Sequence, residues 1–263
     1  FVPDATATYG GRVYYSYMLK TGGEEPSADD SGWVSNFNKF NVGEYWIKAS
    51  NSGNNNYNGD VKIISFKVTK ATLTVTPHGS MIYGSNFVDN DPAFDYTVTA
   101  GLVRGDDPNE VIRTVTGVTY EVVGSPAVFQ AKTYAFVLVS DNDGNVTGLE
   151  SDNYKIVSGT GEFVVNRRSI VVNIGNKTSQ YGCPVDLSDV SVTYGSLNGL
   201  VEGDSLNLTF TTTATQSSVK GGYIINATYN NSNYNATINP GTYTITERLI
   251  TVEMVQGGGV YGE

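Results

Sequence analysis

The sequence predicts an all-β chain of tandem sandwich modules, and three observations carry that expectation. Strand-forming residues dominate: Tyr occurs 18 times, Thr and Val are plentiful, Met occurs only 3 times, and charged residues make up 16%. That vocabulary suits pleated, half-buried surfaces. Glycine occurs 30 times, and Asn-rich stretches such as SNSGNNNYNGD at 50–60 supply the reversals that many short strands need. Short motifs also recur with matched spacing. The Tyr-Gly pairs at 83–84, 181–182 and 261–262 keep step with the Asn-Tyr pairs at 56–57, 153–154 and 233–234. A chain of 263 residues built this way divides into several small domains, each able to bury a core.

The expected modules follow in order. The first, 1–70, holds VYYSYM, the Trp33 region, NVGEYWIKAS and VKIISFKVTK, and reads as truncated at its N-terminus. The second, 71–167, and the third, 168–247, share one order of features. A strand leads to Tyr-Gly, then a strand such as FDYTVT or VSVTY, a Gly-Leu-Val-x-Gly-Asp turn at 101–106 or 199–204, further strands, Asn-Tyr and a closing strand. Residues 248–263 open a further repeat, beginning with the alternating strand LITVE. Each handover passes a charged point, Lys70, Arg167-Arg168 or Glu247-Arg248.

The second module is longer because SDNDGNVTGLESDNY (140–154) stands where the third has NATYNNSNY (226–234). Such an insertion is tolerated because loop-closure entropy grows only logarithmically with length. Alternation as in Leu73-Thr74-Val75-Thr76 gives each strand one buried and one solvated face. No apolar segment keeps a helical period beyond about three turns.

The formal charge of −10, with no basic stripe, argues against nucleic acid as a partner. Cys183 is the only cysteine, so no intramolecular disulfide forms, which suits a bacterial surface protein better than a secreted eukaryotic one. No apolar run approaches the roughly 18–20 residues of a membrane span. The chain begins without Met and ends on VYGE, and reads as an internal, monomeric part of something longer.

NVGEYWIKASNSGNNNYNGDVKIISFKVTKA resembles the Ig-like repeats of large bacterial surface proteins. Residues 71–167 and 168–247 resemble MBG-type (YGX-type) repeats of bacterial cell-surface adhesins, through the Tyr-Gly pair, the Gly-Leu-Val-x-Gly-Asp turn and the Asn-Tyr loop. The resemblance implies a rod-like array of Ig-like β-sandwich modules, with β-grasp-like modules as the alternative fold. It also implies an extracellular place on the bacterial cell surface, attached to the wall or secreted. The function it implies is a non-enzymatic stalk that spaces or displays a distal binding domain. The alternatives are a glycan- or mucin-binding module and an accessory region of a secreted carbohydrate-active enzyme.

Four candidate sites need weighing. Arg104-Gly105-Asp106 spells an integrin-recognition tripeptide, but its sister turn carries Glu202 in place of Arg104. The segment therefore reads as a turn in which Leu-Val plugs the core, Gly tolerates positive φ, Asp accepts backbone hydrogen bonds and the variable residue faces solvent. In DNDGN, Asp141, Asp143 and Asn145 space oxygen ligands as a calcium loop does, against the ordinary reading of a hairpin turn; no other cofactor is expected. Trp33, Tyr45 and Trp46 are the candidates for stacking on glycans or mucins, against a packing role. No catalytic residue is expected. His78, the only His, and Cys183 fall in different modules and read as a polar loop residue and a buried small hydrophobe, and adjacent carboxylates such as Asp106-Asp107 point to opposite faces of an extended chain.

Overall fold

The structure is a computed structural model that describes residues 4–36, 38–88, 91–195, 199–259 and 261–262. Parts of each expected module lie outside the described residues: 1–3 and 37 in the first, 89–90 in the second, 196–198 in the third, and Val260 and Glu263 in the fourth. The chain separates into two compact units. Unit one comprises Phe1–Gly79, Val88–Ser125 and Ala135–Glu162; unit two comprises Ser80–Phe87, Pro126–Tyr134 and Phe163–Glu263.

Unit one opens with an antiparallel sheet of β1 (Tyr14–Leu19), β2 (Gly43–Asn54) and β3 (Tyr57–Val68), in that order. Strict alternation in GEYWIKA turns Tyr45 and Ile47 inward, where Tyr45 stacks on Phe66 at 5.6 Å and Phe40 meets both edge-on. Next along the chain come β4 (Ala71–Ile82), β5 (Asp95–Ala100), the one-turn helix α1 (Pro108–Val111), β6 (Arg113–Thr114), β7 (Tyr120–Val122), β8 (Thr133–Leu138), β9 (Leu149–Glu150), β10 (Tyr154–Ser158) and β11 (Gly161–Asn166), with the unit boundaries falling inside β4, β8 and β11. They form a sheet in the order β10-β4-β11-β8-β7, with β5 also on β4, and a small β6-β9 pair. Strand β10 runs parallel to β4 from the register Tyr154↔Ala71, and β5 is antiparallel to it. Leu73, Val75 and Phe136 are fully buried. Each such side chain contributes about 1.5–3 kcal/mol relative to exposure.

Unit two is organised by β12 (Arg168–Ile174), β13 (Lys177–Gln180), β14 (Val192–Tyr194), β15 (Thr209–Thr212), β16 (Gly221–Thr228), β17 (Tyr234–Asn239) and β18 (Gly241–Thr246). They make two sheets, β14-β12-β17 and β13-β18-β16-β15. The period-two pattern of RSIVVNI buries Ile170, Val172 and Ile174 and exposes Val171. Ile225 of β16 and Tyr243 and Ile245 of β18 fill the core from the second sheet. Strand β17 runs parallel to β12 from the register Tyr234↔Arg168, repeating the β10–β4 arrangement.

The architecture is thus all-β, and unit two is a sandwich of two sheets whose buried faces fill one core. A β-grasp module needs a helix laid across its sheet, and α1 is the only α-helix among the described residues.

Three sequence expectations change. LITVE (249–253) forms no strand, and Leu249, Ile250 and Val252 are each more than 80% exposed. Its counterparts β4 and β12 are each held by a parallel strand that begins at an Asn-Tyr pair further along the chain, and the described residues offer 249–253 no such strand. His78 lies on β4 with its side chain exposed, not in a loop. Cys183 is half-buried, not buried.

Candidate functional site

The candidate site is a set of hydrogen bonds that joins two motifs distant in sequence, and it occurs twice. In each Leu-Val-x-Gly-Asp segment the chain reverses: the Asp106 amide donates to the Val103 carbonyl at 3.0 Å and the Asp204 amide to the Val201 carbonyl at 3.0 Å. Gly105 and Gly203 hold φ of +92° and +85°, a left-handed backbone natural only to glycine. Open space surrounds the position of a β-carbon at both, so their constraint is purely conformational.

The reversal leaves one backbone N–H and one carboxylate facing inward, and the tyrosine of Asn-Tyr takes both. Tyr154 Oη accepts from the Val103 amide at 2.9 Å and donates to Asp106 Oδ2 at 2.5 Å. Tyr234 Oη accepts from the Val201 amide at 2.8 Å and donates to Asp204 Oδ2 at 2.6 Å. Both tyrosines are fully buried. Each hydroxyl satisfies a donor and an acceptor that would otherwise be costly to leave unpaired. Burial first, and the neighbouring carboxylate second, raise the pKa of both phenols, Tyr234 to about 12. Lys39 first, and Tyr154 second, hold the Asp106 carboxyl below its ordinary range.

The asparagine of the motif faces the other way, toward chain that comes earlier. Asn153 Oδ1 accepts from the Val42 amide at 2.9 Å, and its Nδ2 donates to Asn41 Oδ1 at 3.0 Å. Asn233 Oδ1 accepts from the Ala131 amide at 2.8 Å, and its Nδ2 donates to Gln130 Oε1 at 2.7 Å. The receiving backbone is itself set by a tyrosine four residues on: Tyr45 Oη donates to the Asn41 carbonyl at 3.0 Å and Tyr134 Oη to the Gln130 carbonyl at 3.1 Å.

The aspartate also takes a partner from earlier chain, Lys39 for Asp106 and Tyr83 for Asp204, the latter at 2.9 Å. Tyr83 belongs to a Tyr-Gly pair, and the pair has a reason. A β-carbon on Gly84 would stand 2.3 Å from Val201 Cγ2, and its φ is +81°. Only glycine lets Val201 this close. Arg168 completes the second site, donating from Nε to the Gly199 carbonyl at 3.0 Å and from Nη1 to the Tyr83 carbonyl at 3.3 Å. The Asp106 set lies wholly within unit one and the Asp204 set wholly within unit two.

This geometry redefines the two motifs. The aspartates bind a tyrosine hydroxyl rather than turn amides. Leu102 and Leu200 are half-buried and Val103 is 43% exposed, so the turn's apolar pair is no core plug. Arg104 and Glu202 do face solvent. A receptor reading of Arg-Gly-Asp needs a presented carboxylate, whereas the Asp106 side chain is 9% exposed and doubly bonded. Asn56-Tyr57 is not a third member. Tyr57 starts a strand antiparallel to its hairpin partner and is 47% exposed.

The remaining sequence candidates are placed as follows. Tyr45 lies in the core on one face of β2. Trp33 and Trp46 are half-buried, with the Lys48 ammonium 4.8 Å from the ring centre of Trp33 and that of Lys20 5.0 Å from Trp46. Tyr45 therefore shares no platform with the two tryptophans. A more exposed aromatic pair went unnoticed in the sequence: Tyr9 and Tyr57 stack at 4.8 Å beside a groove of about 270 Å³ that Asn58, Asp60 and Lys62 also line. In DNDGN, the Asp141 carboxylate accepts from the Asp143 and Asn145 amides at 2.9 and 2.8 Å and from Asn145 Nδ2, while Lys155 Nζ donates to the Asp143 carbonyl. The Asn145 side chain, then the loop amides, depress the Asp141 pKa. Asp141 thus closes an Asx-type turn and Asn145 turns its nitrogen, not its oxygen, toward it. Among the described residues no cluster of three or more His, Cys, Asp or Glu can hold a metal ion, and no helix is long and apolar enough to cross a membrane.

The chain is similar to two solved structures. The EC1-3 portion of Drosophila N-cadherin shares 10% identity over 89% of both chains, with a TM-score of 0.24. The SGBP-B protein of the Bacteroides ovatus mixed-linkage glucan utilization locus, in complex with a mixed-linkage heptasaccharide, shares 13% identity over 89% of this chain and 61% of its own, with a TM-score of 0.16. No curated protein matches the sequence. Residues 170–244, which carry the second of the two tyrosine latches, match the family model of the MBG domain (YGX type), a repeat domain of surface proteins and not a catalytic family.

Proposed function

We propose that this chain is a non-enzymatic stalk region of a secreted bacterial cell-surface adhesin, spacing or displaying a distal binding domain. Its modules are 1–70, 71–167, 168–247 and the opening of another at 248–263. The observation that carries this reading is the duplicated latch. On these boundaries the Tyr–Asp bond closes each repeat on itself, while Asn153 and Asn233 reach back to the module before. Bonds from Asn153, Asn233 and Tyr83 thus cross the proposed module boundaries, which is what a spacer built of stacked repeats requires.

The partner left to this chain is then the rest of its own polypeptide. Immobilised chain screened against a glycan array and purified mucins should retain neither. Specific retention, abolished by Tyr9→Ala or Tyr57→Ala, would replace the stalk reading with the alternative of a glycan- or mucin-binding module. The exposed Tyr9–Tyr57 pair is the observation that favours that alternative.

A further inference from the structure

Unit two repeats, around Tyr181, the placement of the groups that surround Tyr83. Tyr181 is placed as Tyr83 is: the Tyr181 amide donates to the Thr246 carbonyl at 2.9 Å, as the Tyr83 amide does to Asn166 at 2.9 Å. Yet Tyr83 is 5% exposed and Tyr181 48%. Gly182 has φ of +83°, and a β-carbon there would stand 3.4 Å from Arg248 Nη1, as one on Gly84 would stand 3.5 Å from Arg168 Nη1. Tyr223 Oη donates to the Val219 carbonyl at 2.9 Å, repeating the bonds that set Asn41 and Gln130. The next residue's amide, bonded to an asparagine at Val42 and Ala131, has no partner at Lys220 among the described residues. Val219 is 71% exposed, and Leu249, Ile250, Val252, Met254 and Val255 are 83–95% exposed.

We infer that Tyr181, Lys220 and Arg248, with the apolar run 249–255, form a socket for the Gly-Leu-Val-x-Gly-Asp turn and Asn-Tyr segment of a further repeat of this kind. The occupant follows from the two filled sites. Its aspartate accepts from Tyr181 Oη, its asparagine carbonyl accepts from the Lys220 amide, and Arg248 donates to the carbonyl of the glycine before Leu-Val. Its Asn-Tyr strand lies parallel to 248–253, with the tyrosine opposite Arg248, as Tyr234 lies opposite Arg168. One bond is missing: Val219 offers no side-chain acceptor where Asn41 and Gln130 do, so this joint carries one hydrogen bond fewer. The inference rests on the stalk reading and names its next partner.

The test compares the full chain with one in which residues 175–247 are copied in after Met254, replacing 255–263, so that the apolar residues 249–254 stay in place. Amide exchange at Lys220 should slow by at least about tenfold, as for a newly made backbone hydrogen bond. Tyr181→Phe in the extended chain should partly reverse the slowing. Protection of the copied repeat's own Val201 amide shows that it has folded. If it has not, residues 78–167 are copied in there instead. Unchanged Lys220 exchange beside a folded copy, or failure of both copies to fold, overturns the socket. Glycan binding by the full chain would instead overturn the stalk reading and leave the Lys220 result standing.

Discussion

Tyr234 shows how one hydroxyl does two jobs, and its acidity makes that testable. Burial, then Asp204, pushes its pKa up to about 12, above the roughly 10 of a free tyrosine. A raised folded-state value means the stabilisation is fully present below about pH 10 and is lost as pH rises through about 12. Asp204→Asn should lower the Tyr234 value, read by NMR of ring-labelled tyrosine, but leave it above 10 because burial remains. An unchanged value would show that the bond contributes nothing. Asp106 has the opposite sign: its depressed value gives stability that is present above about pH 4 and lost as pH falls through the folded-state value. Arg104 is a solvent-facing passenger, so Arg104→Glu should change stability by no more than about 0.5 kcal/mol in thermal melts. Gly105→Val should cost several times that, since a β-branched residue is forced to φ near +92°. Equal effects of the two would remove the turn from the account.

Strands were legible in the sequence where burial obeys period two. RSIVVNI and ATLTVT present the alternation that their burial shows. LITVE has the same alternation and no strand, because parallel pairing depends on a partner far along the chain, Tyr154 for Ala71 and Tyr234 for Arg168, and not on local pattern. The latch was half legible. Both of its motifs stand out as repeats, but a Tyr–Asp bond spanning 48 residues in one copy and 30 in the other leaves no fixed spacing to detect. The missed signal was co-occurrence: Asn56-Tyr57 has no Gly-Leu-Val-x-Gly-Asp beside it, and its tyrosine is the one left half-exposed. The inserted stretch makes its own element-scale prediction. Asp141 is saturated by amides of its own loop, so Asp141→Ala should lower the melting temperature equally with millimolar calcium and with chelator. A stabilisation by calcium that only the unsubstituted chain shows would establish a metal site, since a ligand of the folded state must stabilise it.

For the whole molecule, function reduces to whether the latches join successive repeats or merely decorate them. Tyr83 and Asp204 are the most direct probe, because they stand 121 positions apart, one in each of the two proposed repeats, and meet at 2.9 Å. Their surroundings are packed: the Tyr83 and Tyr234 rings meet edge-on at 5.5 Å, and Tyr83 is 5% exposed. Stability should be measured by denaturant unfolding for the unsubstituted chain, Tyr83→Phe, Asp204→Ala and the double variant. A joint that bears load predicts a coupling of about 1 kcal/mol or more between the two substitutions. Additivity within about 0.3 kcal/mol would contradict it.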